Sequence, residues 1–146
     1  IPNLRGLKFT NTDLMQLQEC RALNDGEFDI LFGCDQIMLA GVMFGCRGAV
    51  GTSYNFAAGH FRWLIEAFHE GDLETARRLQ HEAVRMIRLL EKYGFLPAAK
   101  VLMTCLGINC GPARSPLRTL SDEQKSQLLD ELSREPALAD VALAAV

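Results

Sequence analysis

The sequence predicts an α/β fold with a parallel sheet, followed by a region built of helices. Over residues 1–55, short apolar segments alternate with helical patterns in the order strand, helix, strand, helix, strand. Over residues 56–146, the apolar residues recur at helical spacing. With 146 residues, of which 49% are hydrophobic and 23% charged, the chain can form one globular core. These observations predict two regions, 1–55 and 56–146.

Three segments have the character of strands. Gly6–Thr10 is short and β-favouring, Phe28–Gly33 is too short and apolar for an independent helix, and Gly48–Thr52 is rich in glycine. A closed parallel barrel needs eight strands, and a parallel sheet needs cover on both faces. We therefore expect this segment alone to expose the inner face of its sheet.

The two connections between these strands show helix signals. Asn11–Asp13 is a cluster of N-cap residues ahead of a helix that ends near Gly26. After the second strand, Asp35 is predicted to cap a short helix that closes at Gly45. This order of elements is typical of βαβ units.

The remainder of the chain predicts several helices. The first runs from Phe56 to Gly71, and the second from Asp72, its cap, to Gly94. Its apolar stripe fits either a core or an interface. A shorter helix opens at Pro97, and Ser121–Gln124 begins another with a capping box. Pro136 ends that helix before an alanine-rich tail.

Composition excludes several classes of function. The net charge is −3 with scattered Lys and Arg, so no nucleic-acid partner is expected. No apolar run has the length of a membrane span, so no membrane partner is expected. The five cysteines form no C-x-x-C pair and no Cys/His cluster, which predicts no zinc site and a reducing, cytoplasmic location. No metal and no cofactor are expected. The chain starts at Ile1, close to its first strand, and we expect it to be a piece of something longer.

Lys8 is the most informative residue because apolar neighbours flank it in the first strand. Leu7 and Phe9 predict a strand that points Lys8 into a packed interior, where an ammonium is costly unless it is paired or loses its proton. A neutral lysine attacks carbonyl carbons and forms Schiff bases. The alternative is a lysine that extends to water from the end of a strand.

Other polar residues follow the strands at their carboxyl ends, where α/β barrels cluster functional groups. Thr10 shares a face with Lys8 through the two-residue period. The second strand leads into Gly33–Gln36, where Gly33 lets a ligand approach the backbone. Thr52, after the third strand, offers a hydroxyl donor and acceptor.

Taken in order, these segments resemble the N-acetylneuraminate lyase and dihydrodipicolinate synthase family. Those that look like its last three barrel strands are Gly6–Thr10, Gly33–Gln36 and Gly45–Asn55. Gly111–Pro116 resembles the helical C-terminal region, and Leu4–Phe9 with Leu31–Gly33 looks most like the animal enzymes. The resemblance implies an incomplete TIM (β/α)8 barrel: residues 1–55 would hold its last three strands, and 56–146 its final helix and the C-terminal helical extension.

The activity that this resemblance implies is that of a pyruvate-dependent class I aldolase. Lys8 matches the Schiff-base lysine, which would cleave sialic acid to N-acetylmannosamine and pyruvate. The positions that match the substrate site are Thr10, Gly33, Asp35, Gln36 and Thr52. The partners implied are these small-molecule substrates, the missing N-terminal half of the barrel, and further copies in a homotetramer.

The chain departs from the family pattern in two respects. Gln36 stands where bacterial relatives often carry Glu, which keeps hydrogen bonding but loses the charge. The upstream part that supplies the proton-relaying tyrosine and the carboxylate-binding loop is absent, and neither Tyr54 nor Tyr93 occupies that motif. Two alternatives therefore stand beside the lyase: a non-catalytic form that acts as a binding or oligomerisation partner, and a sister aldolase for another 2-keto acid.

Overall fold

The computed structural model of the chain describes residues 1–138. The end of the predicted 56–146 region, with most of the alanine-rich tail, lies outside these residues. The elements in order are β1 (Gly6–Phe9), α1 (Leu14–Ala22), β2 (Asp29–Phe32), α2 (Met38–Met43), β3 (Gly48–Ala49), α3 (Tyr54–His69), α4 (Leu73–Lys92), α5 (Phe95–Cys105) and α6 (Asp122–Leu132). Short 3₁₀ turns lie at Leu23–Gly26, Asp35–Ile37 and Pro136–Leu138.

The three strands form one parallel sheet in the order β1-β2-β3. Lys8 pairs with Leu31, and Phe32 pairs with Ala49. All three strands therefore end at the same edge of the sheet, as the predicted βαβαβ order requires. The expected parallel α/β architecture is confirmed.

The two faces of the sheet differ in burial. Phe9, Ile30 and Phe32 are buried on the outer face, which the helices cover. On the opposite face, Lys8 is exposed and Val50 is 45% exposed within residues 1–138. The expectation of an uncovered inner face is confirmed. The prediction that Lys8 points into a packed interior is wrong for these residues, because the described part of the chain does not cover that face.

Local capping explains where several helices begin. The Asp13 carboxylate accepts the N–H groups of Met15 and Gln16 at the start of α1, at 3.1 and 3.0 Å. Asp72 accepts the Thr75 N–H at 3.0 Å, and Ser121 forms a complete capping box with Gln124. These predicted caps are confirmed.

Three boundaries differ from the prediction. The third strand covers only Gly48–Ala49, because the chain turns toward α3 after Val50 donates its N–H to Phe32 O. Helix α3 accordingly begins at Tyr54 and not at Phe56. Helix α5 begins at Phe95 and holds Pro97 in its first turn, where a missing N–H breaks no helical hydrogen bond.

The helical region packs through α4. The predicted stripe includes Leu73, which is 40% exposed at the start of the helix. The rest of the stripe is buried in the core and comprises Ala76, Leu79, Ala83, Met86, Ile87 and Leu90. Leu128 and Leu132 of α6 are buried in the same core, which is continuous with the outer face of the sheet. The core alternative for this stripe is therefore correct within the described residues. Among the helices of residues 1–138, none combines the length and apolar character needed to cross a membrane.

Candidate active site

Lys8, Thr10 and Gly33 meet on the inner face of the sheet. Gly33 is buried and donates its N–H to Phe9 O at 2.8 Å, which continues the β1–β2 pairing beyond the strands. A Cβ added to Gly33 would overlap the Thr10 hydroxyl oxygen and would lie 2.8 Å from Lys8 Cε. The structure thus brings these three predicted residues together, and Gly33 provides the space that the other two side chains occupy.

The Lys8 ammonium differs from those of the other lysines in its environment. Lys92 Nζ lies 2.7 Å from Glu131, Lys100 Nζ donates to Cys110 O at 2.7 Å, and Lys125 Nζ lies 2.7 Å from Asp122. Within residues 1–138, Lys8 Nζ forms no hydrogen bond or ion pair, and the side chain is exposed. The Lys8 amine is therefore accessible to a carbonyl compound from the uncovered side of the sheet.

Asp35 is buried where the loops after β2 and β3 meet. Its Oδ2 accepts the Ser53 N–H at 3.0 Å, and a Cβ on Gly51 would lie 2.9 Å from the same oxygen. The prediction that Asp35 caps the following helix is wrong, because its carboxylate turns toward this neighbouring loop. It therefore ties together the two loops that carry the predicted substrate positions Gln36 and Thr52.

The Gln36 and Thr52 side chains are both exposed. The Thr52 carbonyl accepts a hydrogen bond from the Asn55 side-chain amide at 2.9 Å. Gln80 on α4 donates to Gln36 O at 3.1 Å and to Asp35 O at 3.4 Å. Sequence reasoning missed both Ser53 and Gln80. Gln80 lies beside the apolar stripe of a long helix, and no local pattern distinguishes it from a solvated glutamine.

Burial raises the pKa values of two groups near this cluster, the Cys34 thiol and the Tyr54 phenol. Burial raises the pKa of the Cys34 thiol, the Asp35 charge raises it further, and the Lys8 charge opposes both. Burial also raises the pKa of Tyr54, as does the charge of Asp35. The Tyr54 hydroxyl donates to Met38 Sδ at 3.4 Å, and its ring packs edge-on against Phe61 at 4.7 Å. Both groups are therefore held in their neutral forms.

The chemistry of the cluster follows from its groups. The predicted site residues offer a primary amine, hydroxyls and an amide in exposed positions, and a buried carboxylate on Asp35. The described residues contain no group of three or more His, Cys, Asp or Glu side chains able to hold a metal ion. They form a three-stranded parallel sheet with the predicted site residues at the carboxyl ends of its strands, the end at which parallel (β/α)8 barrels carry their functional groups.

Residues 1–135 match the dihydrodipicolinate synthetase family, and the chain belongs to that family. It is 37% identical over 139 residues to the N-acetylneuraminate lyase of Rhizobium meliloti, covering 94% of this chain and 45% of the relative. It is 38% identical over 142 residues to that of Mus musculus, covering 91% and 44%.

Solved structures agree with the sequence relatives. The chain superposes on N-acetylneuraminate lyase from Proteus mirabilis with a TM-score of 0.90 and 39% identity, covering 94% of this chain and 47% of that one. The enzyme from Aliivibrio salmonicida gives a TM-score of 0.90 with the same identity. The chain spans about half the length of the curated relatives it matches, with three barrel strands and the helices that follow. The expected family and the incomplete barrel are confirmed.

Proposed function

We propose that this chain carries the nucleophile of a pyruvate-dependent class I aldolase that cleaves N-acetylneuraminate to N-acetylmannosamine and pyruvate. The observation that carries the proposal is the Lys8 amine, which is exposed and unpaired within residues 1–138 and lies against Gly33 and Thr10. The similarity to N-acetylneuraminate lyases from bacteria and mammals supports the choice of substrate.

The reaction begins when the Lys8 amine attacks the ketone carbon of the open-chain sugar acid. Loss of water gives an iminium, which withdraws electrons from the bond between the α and β carbons of the sugar acid. When the hydroxyl on the β carbon loses its proton, this bond breaks and releases N-acetylmannosamine as an aldehyde. The electron pair stays on the pyruvate fragment as an enamine. Protonation of the enamine carbon and addition of water then release pyruvate and restore the amine.

The remaining predicted residues would bind the two ends of the substrate. Thr10 lies beside Lys8, so its hydroxyl would contact the reacting end. Gln36 and Thr52 are exposed beyond it and would contact the polyol chain through hydrogen bonds. Asp35 already accepts the Ser53 N–H through Oδ2, which leaves Oδ1 for a sugar hydroxyl.

The open inner face also supports a proposal about partners. A Schiff-base site needs walls that exclude bulk water, and residues 1–138 provide one side of it. We propose that the other strands of the barrel, supplied by the rest of the protein or by a separate chain, cover Lys8, and that the complete barrels assemble as tetramers.

Borohydride trapping tests the nucleophile directly. The native protein, with the part that completes the barrel present, is incubated with pyruvate, reduced and mapped by peptide mass spectrometry. We expect a reduced pyruvyl adduct on Lys8. Lys8→Arg keeps the positive charge but cannot form the imine, so the adduct should disappear. Lys100→Arg is the matched control and should leave the adduct on Lys8 intact.

Each outcome decides between the alternatives. An adduct on Lys8 together with release of N-acetylmannosamine from sialic acid supports the lyase. An adduct without sialic acid cleavage favours a sister aldolase for another 2-keto acid, which a panel of such acids would identify. A folded protein without any adduct on Lys8 would refute the proposed catalysis and favour the non-catalytic binding role.

A further inference from the structure

A glutamine on α4 makes two hydrogen bonds to the turn that carries two of the proposed substrate residues and a third to the start of α2. Gln80 Nε2 donates to Gln36 O at 3.1 Å and to Asp35 O at 3.4 Å. Gln80 Oε1 accepts the Leu39 N–H at 2.8 Å. We infer that Gln80 is a positioning residue for the sugar end of the substrate, an inference that rests on the proposed function.

The Leu39 contact replaces a missing local cap. Helix α2 follows directly on the 3₁₀ turn Asp35–Ile37, and its N-cap residue, Ile37, has no side-chain oxygen to accept an N–H. Gln80 supplies that acceptor from a helix 41 residues away. The start of α2 is therefore fixed relative to α4, and not by its own sequence.

The two carbonyl contacts act on the substrate residues themselves. A hydrogen bond to a backbone carbonyl restricts rotation of the peptide plane that follows it, and here both Asp35 O and Gln36 O are held. On its other side, Asp35 is held through Oδ2 by the Ser53 N–H. The Asp35–Gln36 turn is thus fixed between α4 and the loop before α3, while the Gln36 side chain extends to solvent.

This arrangement separates two effects of Gln80 that single substitutions can distinguish. The acceptor oxygen caps α2 through Leu39, whereas the amide hydrogens position Asp35 and Gln36. Gln80→Met keeps the side-chain length and removes all three hydrogen bonds. Gln80→Glu keeps an acceptor for the Leu39 N–H but cannot donate to the two carbonyls. Arg77→Met, at an exposed position of the same helix, is the matched control.

The variants are assayed in the native protein, with the part that completes the barrel present. If Gln80 positions groups that bind the sugar equally in the ground and transition states, Gln80→Met and Gln80→Glu should both raise KM for sialic acid about tenfold and change kcat less than about twofold. Exchange of the Leu39 amide hydrogen should be fast in Gln80→Met and slower in Gln80→Glu. Pyruvate trapping on Lys8 should match the native protein in every variant, and Arg77→Met should match it in all readouts.

The failures are distinguishable from one another. A native KM in folded Gln80→Met overturns the inference, as does recovery of the native KM in Gln80→Glu, which would reduce Gln80 to a cap of α2. Absence of the Lys8 adduct in the native protein overturns the proposed function and this inference with it. A raised KM in both Gln80 variants with trapping intact supports the positioning role.

Discussion

Gly33 allows the Lys8 and Thr10 side chains to cross directly over its Cα atom. A Cβ at this position would overlap Thr10 Oγ1 and would lie 2.8 Å from Lys8 Cε. Since the Lys8 side chain is flexible, Gly33→Ala should displace the Lys8 amine while the sheet remains folded. We expect pyruvate trapping on Lys8 to slow at least about tenfold, with a loss of about 1–3 kcal/mol in the free energy of unfolding. Trapping kinetics and urea unfolding measure the two effects.

Gly48 provides the control on the same face of the sheet. A Cβ there would meet the end of the Leu31 side chain at 3.0 Å, and this side chain can move aside. Gly48→Ala should therefore leave the trapping rate close to native. A native trapping rate in Gly33→Ala would mean that the contact between Gly33 and Lys8 does not fix the position of the amine.

Contacts between site residues were predictable from the sequence only where the two residues lie close together along the chain. The two-residue period of a strand placed Lys8 and Thr10 on one face, and the strand end placed Gly33 beside them. The hydrogen bond from Ser53 to Asp35 joins residues 18 positions apart, and that between Leu39 and Gln80 joins residues 41 positions apart. No local sequence pattern predicts either contact. The burial of Lys8 was mispredicted because it depends on residues that lie across the sheet.

Helices α4 and α6 are joined by a charged contact. Lys92 Nζ lies 2.7 Å from Glu131 Oε1, which also accepts the Tyr93 hydroxyl at 2.8 Å. These hydrogen bonds, that from Lys92 first, lower the pKa of Glu131 below its usual 4.5. A carboxylate whose pKa is lowered by folding stabilises the folded state above its unfolded pKa, and this contribution is lost as pH falls through the folded value.

We therefore expect Glu131→Gln to flatten the acid side of the stability curve. The free energy of unfolding, measured by urea titration between about pH 3 and 6, should fall less steeply with acid in the variant than in the native protein. Glu123→Gln, at an exposed position of the same helix and without an ion pair in residues 1–138, is the control and should keep the native slope. Equal slopes in all three proteins would show that the Lys92–Glu131 contact is not maintained in solution.

The start of a helix was predictable where the helix carries its own N-cap residue. Asp13, Asp72 and Ser121 each cap a helix by accepting a hydrogen bond from a backbone N–H two or three residues ahead. The residue types that form such caps can be recognised from the local sequence. Helix α2 has no cap of its own and takes one from Gln80, so its start could not be predicted correctly. The third strand was predicted too long because Val50 and Thr52 favour a strand, whereas Gly51 between them favours a turn and the chain turns there.

Within residues 1–138, the molecule is a sheet covered on one side. One core joins the outer face of the sheet to α3, α4, α5 and α6. The inner face of the sheet carries Lys8, Thr10 and Val50 in exposed positions. The fold class was predictable because it follows from the order of the elements, and the uncovered face was predictable because three strands cannot close a barrel.

This uncovered face should make the isolated chain associate with itself. Within residues 1–138, the outer edges of β1 and β3 have no strand partner and flank an inner face that includes Val50, which is 45% exposed. Such surfaces favour association with another chain. Val50→Lys places a charge on this face and should weaken the self-association. Met43→Lys removes a side chain that is 60% exposed on α2, away from the inner face, and should change it little. Sedimentation velocity over a concentration series measures the effect. A native chain that stays monomeric throughout the series would contradict the role assigned to this face, and would imply that the chain covers its inner face without a partner.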